Sequence, residues 1–171
     1  MSLLSRNKGK LIKLSKISLI AFITVLLSLV VTEAYFVFFN PQGATNFWQE
    51  DAHVGIMHKP DMEGTYARKE FSTYIKINSA GFRGNEWPLD KDPNTTRIAV
   101  LGDSFVEAFQ VPVEKSFPYL LEEILNNSSA GRRYEVLNFG MGSIGTDQEY
   151  LILKNYALKY DPDIVILAFY A

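Results

Sequence analysis

Ser104 stands where a serine can serve as a nucleophile. It follows Ile98-Ala99-Val100-Leu101, a continuous apolar run with β-branched members that reads as a strand covered on both faces. Gly102 permits a tight turn. Asp103 and Ser104 then fall at the carboxyl end of the strand, where open α/β sheets place their ligands. A hydroxyl in such a turn is exposed, and backbone N–H groups nearby can face a developing negative charge. Gly, Asp and Ser are also all turn formers, so an ordinary turn is the competing reading of the tripeptide.

The elements downstream are those of a βαβ array. Ser116 and Pro118 suit a helix start, with Ser near the cap and Pro in the first turn. Leu120, Leu121, Ile124 and Leu125 supply an apolar face at helical spacing, and Asn126 to Gly131 end that helix in a loop. Tyr134 to Asn138 reads as a second strand, followed by a glycine-rich loop holding Gly140, Gly142 and Gly145. Thr146-Asp147-Gln148-Glu149 reads as a capping box opening a helix whose buried face includes Leu151 and Leu158. Asp161-Pro162-Asp163 stops it, and Ile164 to Phe169 is a third apolar strand. Two strand–helix–strand units in succession imply right-handed crossovers and a parallel sheet.

Upstream, residues 1–16 carry Arg6, Lys8, Lys10, Lys13 and Lys16 and no acid. From Ile17 to Phe39 the only charge is Glu33, in a mostly apolar run. As a helix rising 1.5 Å per residue, 17–39 spans roughly the ~30 Å hydrocarbon core of a bilayer. The five preceding positive charges place the N-terminus in the cytoplasm, which puts the rest of the chain on the outer, periplasmic or extracellular, side. Tyr35, Phe36, Phe38 and Phe39 suit the membrane interface at the exit. A cleavable signal peptide competes, but Thr32-Glu33-Ala34 is a poor cleavage site, and the anchor is the reading adopted. Asn40-Pro41-Gln42-Gly43 then breaks the helix. Residues 40–96 read as a linker, irregular over 44–70, with one strand over Glu70 to Asn78 where Phe71, Thr73, Ile75 and Ile77 alternate with polar residues.

The chain has 171 residues, 47% of them hydrophobic, enough for one domain with a core. Net charge is −2, and no basic stripe with interleaved aromatics occurs, which argues against a nucleic-acid partner. Cysteine is absent, so disulfides and thiolate metal sites are excluded. The two histidines, His53 and His58, read as solvated residues of a polar loop rather than metal ligands.

The run Gly102-Asp103-Ser104-Phe105-Val106-Glu107-Ala108-Phe109 resembles the first block of the SGNH/GDSL hydrolase family. The resemblance continues through Val111-Pro112, Ser116-Phe117-Pro118, Leu120-Leu121-Glu122, Asn138-Phe139-Gly140, Gly145-Thr146 and Pro162-Asp163-Ile164-Val165-Ile166, covering residues 97–171. Asn78-Ser79-Ala80-Gly81-Phe82-Arg83 resembles the element that often precedes the domain in membrane-anchored members. It can pack Phe82 and Arg83 beside the domain or be a hairpin-like linker, the reading preferred for Arg83.

The resemblance implies an α/β, three-layer flavodoxin-like hydrolase fold with a parallel sheet, reached here only to its third strand and preceded by one transmembrane helix. It implies a serine ester hydrolase with Ser104 as nucleophile and no cofactor or metal. The substrates it implies are O-acyl esters of carbohydrate, including polysaccharide, or of lipid. The Ser104 N–H would be one oxyanion donor. A second would come from the Asn-x-Gly-x-x-Gly loop that starts at Asn138; its last glycine position is occupied by Ser143, so the donor falls to Ser143 or, with the loop shifted by one, to Gly142. The family's third-block asparagine and its late Asp-x-x-His segment have no counterpart up to Ala171. The expectation is therefore an N-terminal part of the domain that is inactive without its base. A non-catalytic membrane-tethered binding domain and an acyltransferase for an exported polysaccharide are the alternatives.

Overall fold

The computed structural model describes residues 3–39, 46–129 and 131–169. The breaker cluster at 40–43 and the end of the third strand segment at 170–171 lie outside the described residues. The chain forms two units, one up to Gln42 and one from Gly43 onward.

The first unit is a single helix, α1 (Leu3–Phe39), in which the basic segment and the apolar run are continuous. Lys13–Phe38 is long and apolar enough to cross a membrane, about 39 Å at 1.5 Å per residue. Three of its hydroxyl groups bond back to the helix: Thr24 donates to the Ile20 carbonyl, Ser28 to Val25 and Thr32 to Ser28, at 2.9, 2.7 and 2.8 Å. Such back-bonding satisfies the hydroxyls within the helix itself, as an apolar surrounding requires.

The second unit is mixed α/β around a parallel three-stranded sheet. Its strands are β5 (Thr95–Gly102), β6 (Arg133–Gly140) and β7 (Ile164–Ala168), in the order β6-β5-β7. All eight residues of β5 are buried, as the central position of the sheet demands. Alternate side chains feed opposite faces. Ile98, Val100 and Val136 meet Leu121 and Leu125 of α3 (Phe117–Ser128). Ala99, Leu101, Leu137 and Phe139 meet Ile152 of α4 (Thr146–Asn155) and Ala157 in the 3₁₀ turn that follows it. The apolar face of α3 is narrower than its spacing suggested: Leu120 and Ile124 are exposed. Leu158 is also exposed, because α4 ends at Asn155 and the tighter 3₁₀ turn Ala157–Tyr160 rotates it away from the sheet. The cap of α4 is Gly145, whose N–H donates to the Gln148 side chain, one residue earlier than the box read from Thr146.

The segment expected to be a linker is folded. It carries two antiparallel hairpins, β1 (Trp48–Asp51) with β2 (Gly55–His58), and β3 (Glu63–Ala67) with β4 (Ser72–Lys76). Only β4 coincides with the expected strand. The first hairpin turns on Asp51, whose carboxylate accepts from the His53 and Val54 N–H groups at 2.9 and 2.8 Å. Val54, Met57 and Phe82 join the core on the α4 side of the sheet, where Phe82 meets Phe139 edge-on at 4.8 Å between ring centres. Phe47, Ile75, Ile77 and Phe109 form a second cluster. The four-residue strands β1 and β2 were hidden in the sequence because each is too short to display an alternation.

Candidate active site

β5 ends at Gly102, and Asp103 caps a one-turn helix, α2 (Ser104–Glu107), by accepting from the Phe105 N–H at 2.9 Å. The turn closes at Ala108, which is left-handed at φ 58° and donates to the Ser104 carbonyl at 2.9 Å. Ser104 is half-buried at the start of this turn. Among the described residues, neither its N–H nor its hydroxyl makes a hydrogen bond. The carboxyl ends of β5 and β6 lie side by side: Gly102 is opposite Gly140, and the Met141 N–H donates to the Gly102 carbonyl at 3.0 Å. The Ser104 turn and the Gly140–Gly145 loop therefore leave the sheet together.

A single helical turn has few internal hydrogen bonds, and the carbonyls at its C-terminal end need outside partners. Here remote side chains supply them. Asn138 Nδ2 donates to the Val106 carbonyl at 3.0 Å. Arg83 donates through Nη1 to the carbonyls of Glu107, at 3.2 Å, and Ala108, and through Nη2 to that of Val111 at 2.6 Å. Arg83 is fully buried, which overturns its reading as a linker residue. Burial pushes its pKa down to about 10, against the opposing charges of Glu107 and Glu114, so the guanidinium stays protonated near neutrality.

Glu107, 3% exposed, lies beneath the turn. Its Oε1 accepts from His58 Nε2 at 2.7 Å and from the Gly142 N–H at 2.9 Å. His58 is 0% exposed, the reverse of a solvated loop residue. It lies at the end of β2, stacks on Phe109 at 5.1 Å between ring centres, and turns Nδ1 to the Gly81 carbonyl at 3.2 Å. His53 is exposed, as expected.

The two oxyanion candidates part company here. The Gly142 N–H is engaged inward by Glu107, and a Cβ on Gly142 would stand 2.7 Å from Glu107 Oε2. Ser143 is exposed, and its N–H makes no hydrogen bond among the described residues. Its φ of 64° is a left-handed conformation that favours glycine, which is the residue the loop pattern has at this position.

A second buried acid flanks the turn. Glu149 of α4 is 5% exposed and one of its carboxylate oxygens has no hydrogen-bond partner. Burial raises its pKa, and the negative charge of Asp103 adds to the rise, against a hydrogen bond from Thr146. A carboxyl group whose pKa is higher folded than unfolded costs stability as pH rises from its unfolded value through its folded value. We expect Glu149→Gln to raise the urea midpoint at about pH 8 and to leave it nearly unchanged at about pH 3, where the Glu149 carboxyl is protonated folded and nearly fully so unfolded.

The sequence pointed to Ser104, Gly142 and Ser143, but Glu107, His58, Arg83 and Asn138 emerge as the groups that hold them. Glu107 and Asn138 fell inside quoted motifs without a role. Arg83 stands in the quoted Asn78–Arg83 element, where the linker reading was preferred for it, and His58 gave no signal; their partners are 24 and 49 residues away from them in the chain. No protein-family model matches the chain, and no curated protein matches it significantly.

Proposed function

We propose that this chain carries the nucleophile turn of a membrane-anchored serine ester hydrolase of SGNH/GDSL type. The observation that carries the reading is the cluster of groups that make no hydrogen bond among the described residues, Ser104 Oγ, Ser104 N–H and Ser143 N–H, on two turns that leave neighbouring parallel strands side by side. The strand order β6-β5-β7 supports it, since it is how a flavodoxin-like sheet begins, with its ligand end at the switch point.

In this reading Ser104 Oγ attacks the acyl carbon of an O-acyl ester of carbohydrate or lipid. The carbonyl oxygen takes up negative charge and accepts from the Ser104 and Ser143 N–H groups. Collapse breaks the ester C–O bond and expels the alcohol, and water then releases the acid from Ser104. A base must take the hydroxyl proton, a step worth typically ~10²–10⁴-fold, and no side chain among the described residues accepts from that hydroxyl. Helix 17–39 anchors the protein in membrane lipid, and the five basic residues before it place the hydrolase unit on the outer face of the cytoplasmic membrane.

The test is turnover of a chromogenic acetyl ester, with mass-spectrometric mapping of a fluorophosphonate adduct, on the full-length protein and its Ser104→Ala variant. Labelling at Ser104 and a fall in turnover of at least about 10³-fold in Ser104→Ala are expected. Equal turnover by the two proteins, or no label at Ser104, would overturn the hydrolase reading in favour of a binding domain.

A further inference from the structure

We infer that Glu107 is a positioning residue for the oxyanion donor, a buried strut that aims the Ser143 N–H by holding the residue before it. The inference rests on the hydrolase reading of Ser104.

Glu107 is three residues from Ser104 on the same helical turn, so the strut and the proposed nucleophile share one rigid piece of backbone. Through Oε1 it also grips the Gly142 N–H at 2.9 Å. That bond fixes the Met141–Gly142 peptide with its N–H pointing inward. The following peptide, which carries the Ser143 N–H, then has only the Gly142 torsions left to set its direction. The left-handed Ser143 confines the loop on the other side. A substituent on Gly142 would collide with the carboxylate, so the loop lies directly on the strut.

The carboxylate is itself held in place. The Gly81 carbonyl can only accept, so the Nδ1 bond is donated by His58, and Nε2 bonds Glu107 Oε1 at 2.7 Å. His58 thus ties the strut to the β1–β2 hairpin and to the Asn78–Gly84 turn. One acceptor oxygen consequently links the nucleophile turn, the donor loop and the N-terminal hairpins. Hydrolysis of an ester needs the two oxyanion donors set relative to each other within a fraction of an ångström. Asn138 ties the root of the loop to α2, accepting from the Gly140 N–H and donating to the Val106 carbonyl, and Glu107 is the side chain that reaches the residue next to the donor itself.

The experiment uses the full-length protein, uniformly ¹³C- and ¹⁵N-labelled, in detergent micelles. In the wild type, a scalar coupling across the hydrogen bond between Gly142 N–H and the Glu107 carboxylate is expected, and its absence would overturn the strut whatever the variants do. Glu107→Gln preserves volume but offers a neutral carbonyl in place of a carboxylate to two donors. It should move the Gly142 and Ser143 amide resonances and slow fluorophosphonate labelling of Ser104 by roughly 10–100-fold, part of the 10²–10³-fold that one oxyanion donor contributes. The labelling loss should lie in the maximal rate rather than in the half-saturating reagent concentration, a split that a merely structural loss of folded protein would not produce. Unchanged labelling in a folded Glu107→Gln, beside a labelled wild type, would overturn the positioning role alone. A wild type that is not labelled at all would overturn the hydrolase reading and this inference with it.

Discussion

Gly140→Ala will displace the Ser104 turn from the sheet. A Cβ at residue 140 would stand 2.3 Å from the Glu107 backbone nitrogen and 2.6 Å from the Val106 carbonyl carbon. Neither is the tip of a flexible side chain, so the whole of α2 must move by about 1 Å to restore contact distance. That shift works against the bonds from Asn138 to Val106 and from Arg83 to Glu107, Ala108 and Val111. Overpacking of a well-filled core costs about 1–3 kcal/mol, and a backbone collision belongs at or above the upper end. We expect about 3 kcal/mol of lost stability and a melting temperature lower by on the order of 10 °C. For the proposed chemistry, a displacement of about 1 Å is worth roughly 10²-fold in Ser104 labelling. Gly145→Ala is the control. There the new Cβ meets only the end of the exposed Asp147 side chain, at 3.0 Å, and the expected loss is below about 1 kcal/mol. Thermal denaturation and fluorophosphonate labelling of the two variants decide the matter; equal stabilities would show that α2 is not seated on Gly140.

Arg83→Ala is expected to be the most destabilising single truncation in the unit. It strips a donor from three carbonyls that end α2 and the loop beyond it, leaving that of Ala108 only the Val111 N–H and those of Glu107 and Val111 without a partner among the described residues, and leaves a cavity where a fully buried guanidinium stood. Each buried carbonyl left without a partner costs about 1–3 kcal/mol, and the terms overlap because they share one loop. A loss of about 4–5 kcal/mol follows, comparable to breaking a buried charged network and enough to unfold a marginal domain. It also removes the positive charge facing Glu107. Arg83→Lys should recover little of the loss, because an ammonium is a point charge and cannot spread donors over carbonyls as far apart as Glu107 and Val111. Urea denaturation of the three proteins tests this; a lysine variant as stable as the wild type would show that charge, rather than the fork, is what Arg83 contributes.

Both expectations depend on groups that the sequence by itself did not place. What the sequence determined is what short-range pattern can encode. The apolar run 17–39 specifies a helix because no polar face interrupts it. Ile98–Leu101 specifies a strand buried on both sides and Ile164–Phe169 a further apolar strand, and the helices between them force the two to be parallel. Among the described residues β7 lies at the sheet edge with Ile164, Val165 and Leu167 exposed, which the apolar run did not foretell. The turn at Gly102–Ser104 followed from the abrupt end of an apolar strand at small and polar residues. Even the departure at Ser143 was visible, as a non-glycine residue where the loop pattern has glycine, although only the backbone showed that it adopts a positive φ.

The tertiary structure decided the rest. A polar residue reads as exposed until its partner is known, since burying it alone costs several kcal/mol. His58 and Arg83 escape that rule because folding brings Glu107 and the α2 carbonyls to them from 49 and 24 residues away. Short hairpins such as β1–β2 draw their stability from the sheet they cover rather than from their own pattern. Which of the Gly142 and Ser143 N–H groups is engaged in the interior was likewise beyond local sequence, because it depends on the Glu107 carboxylate capturing one of them.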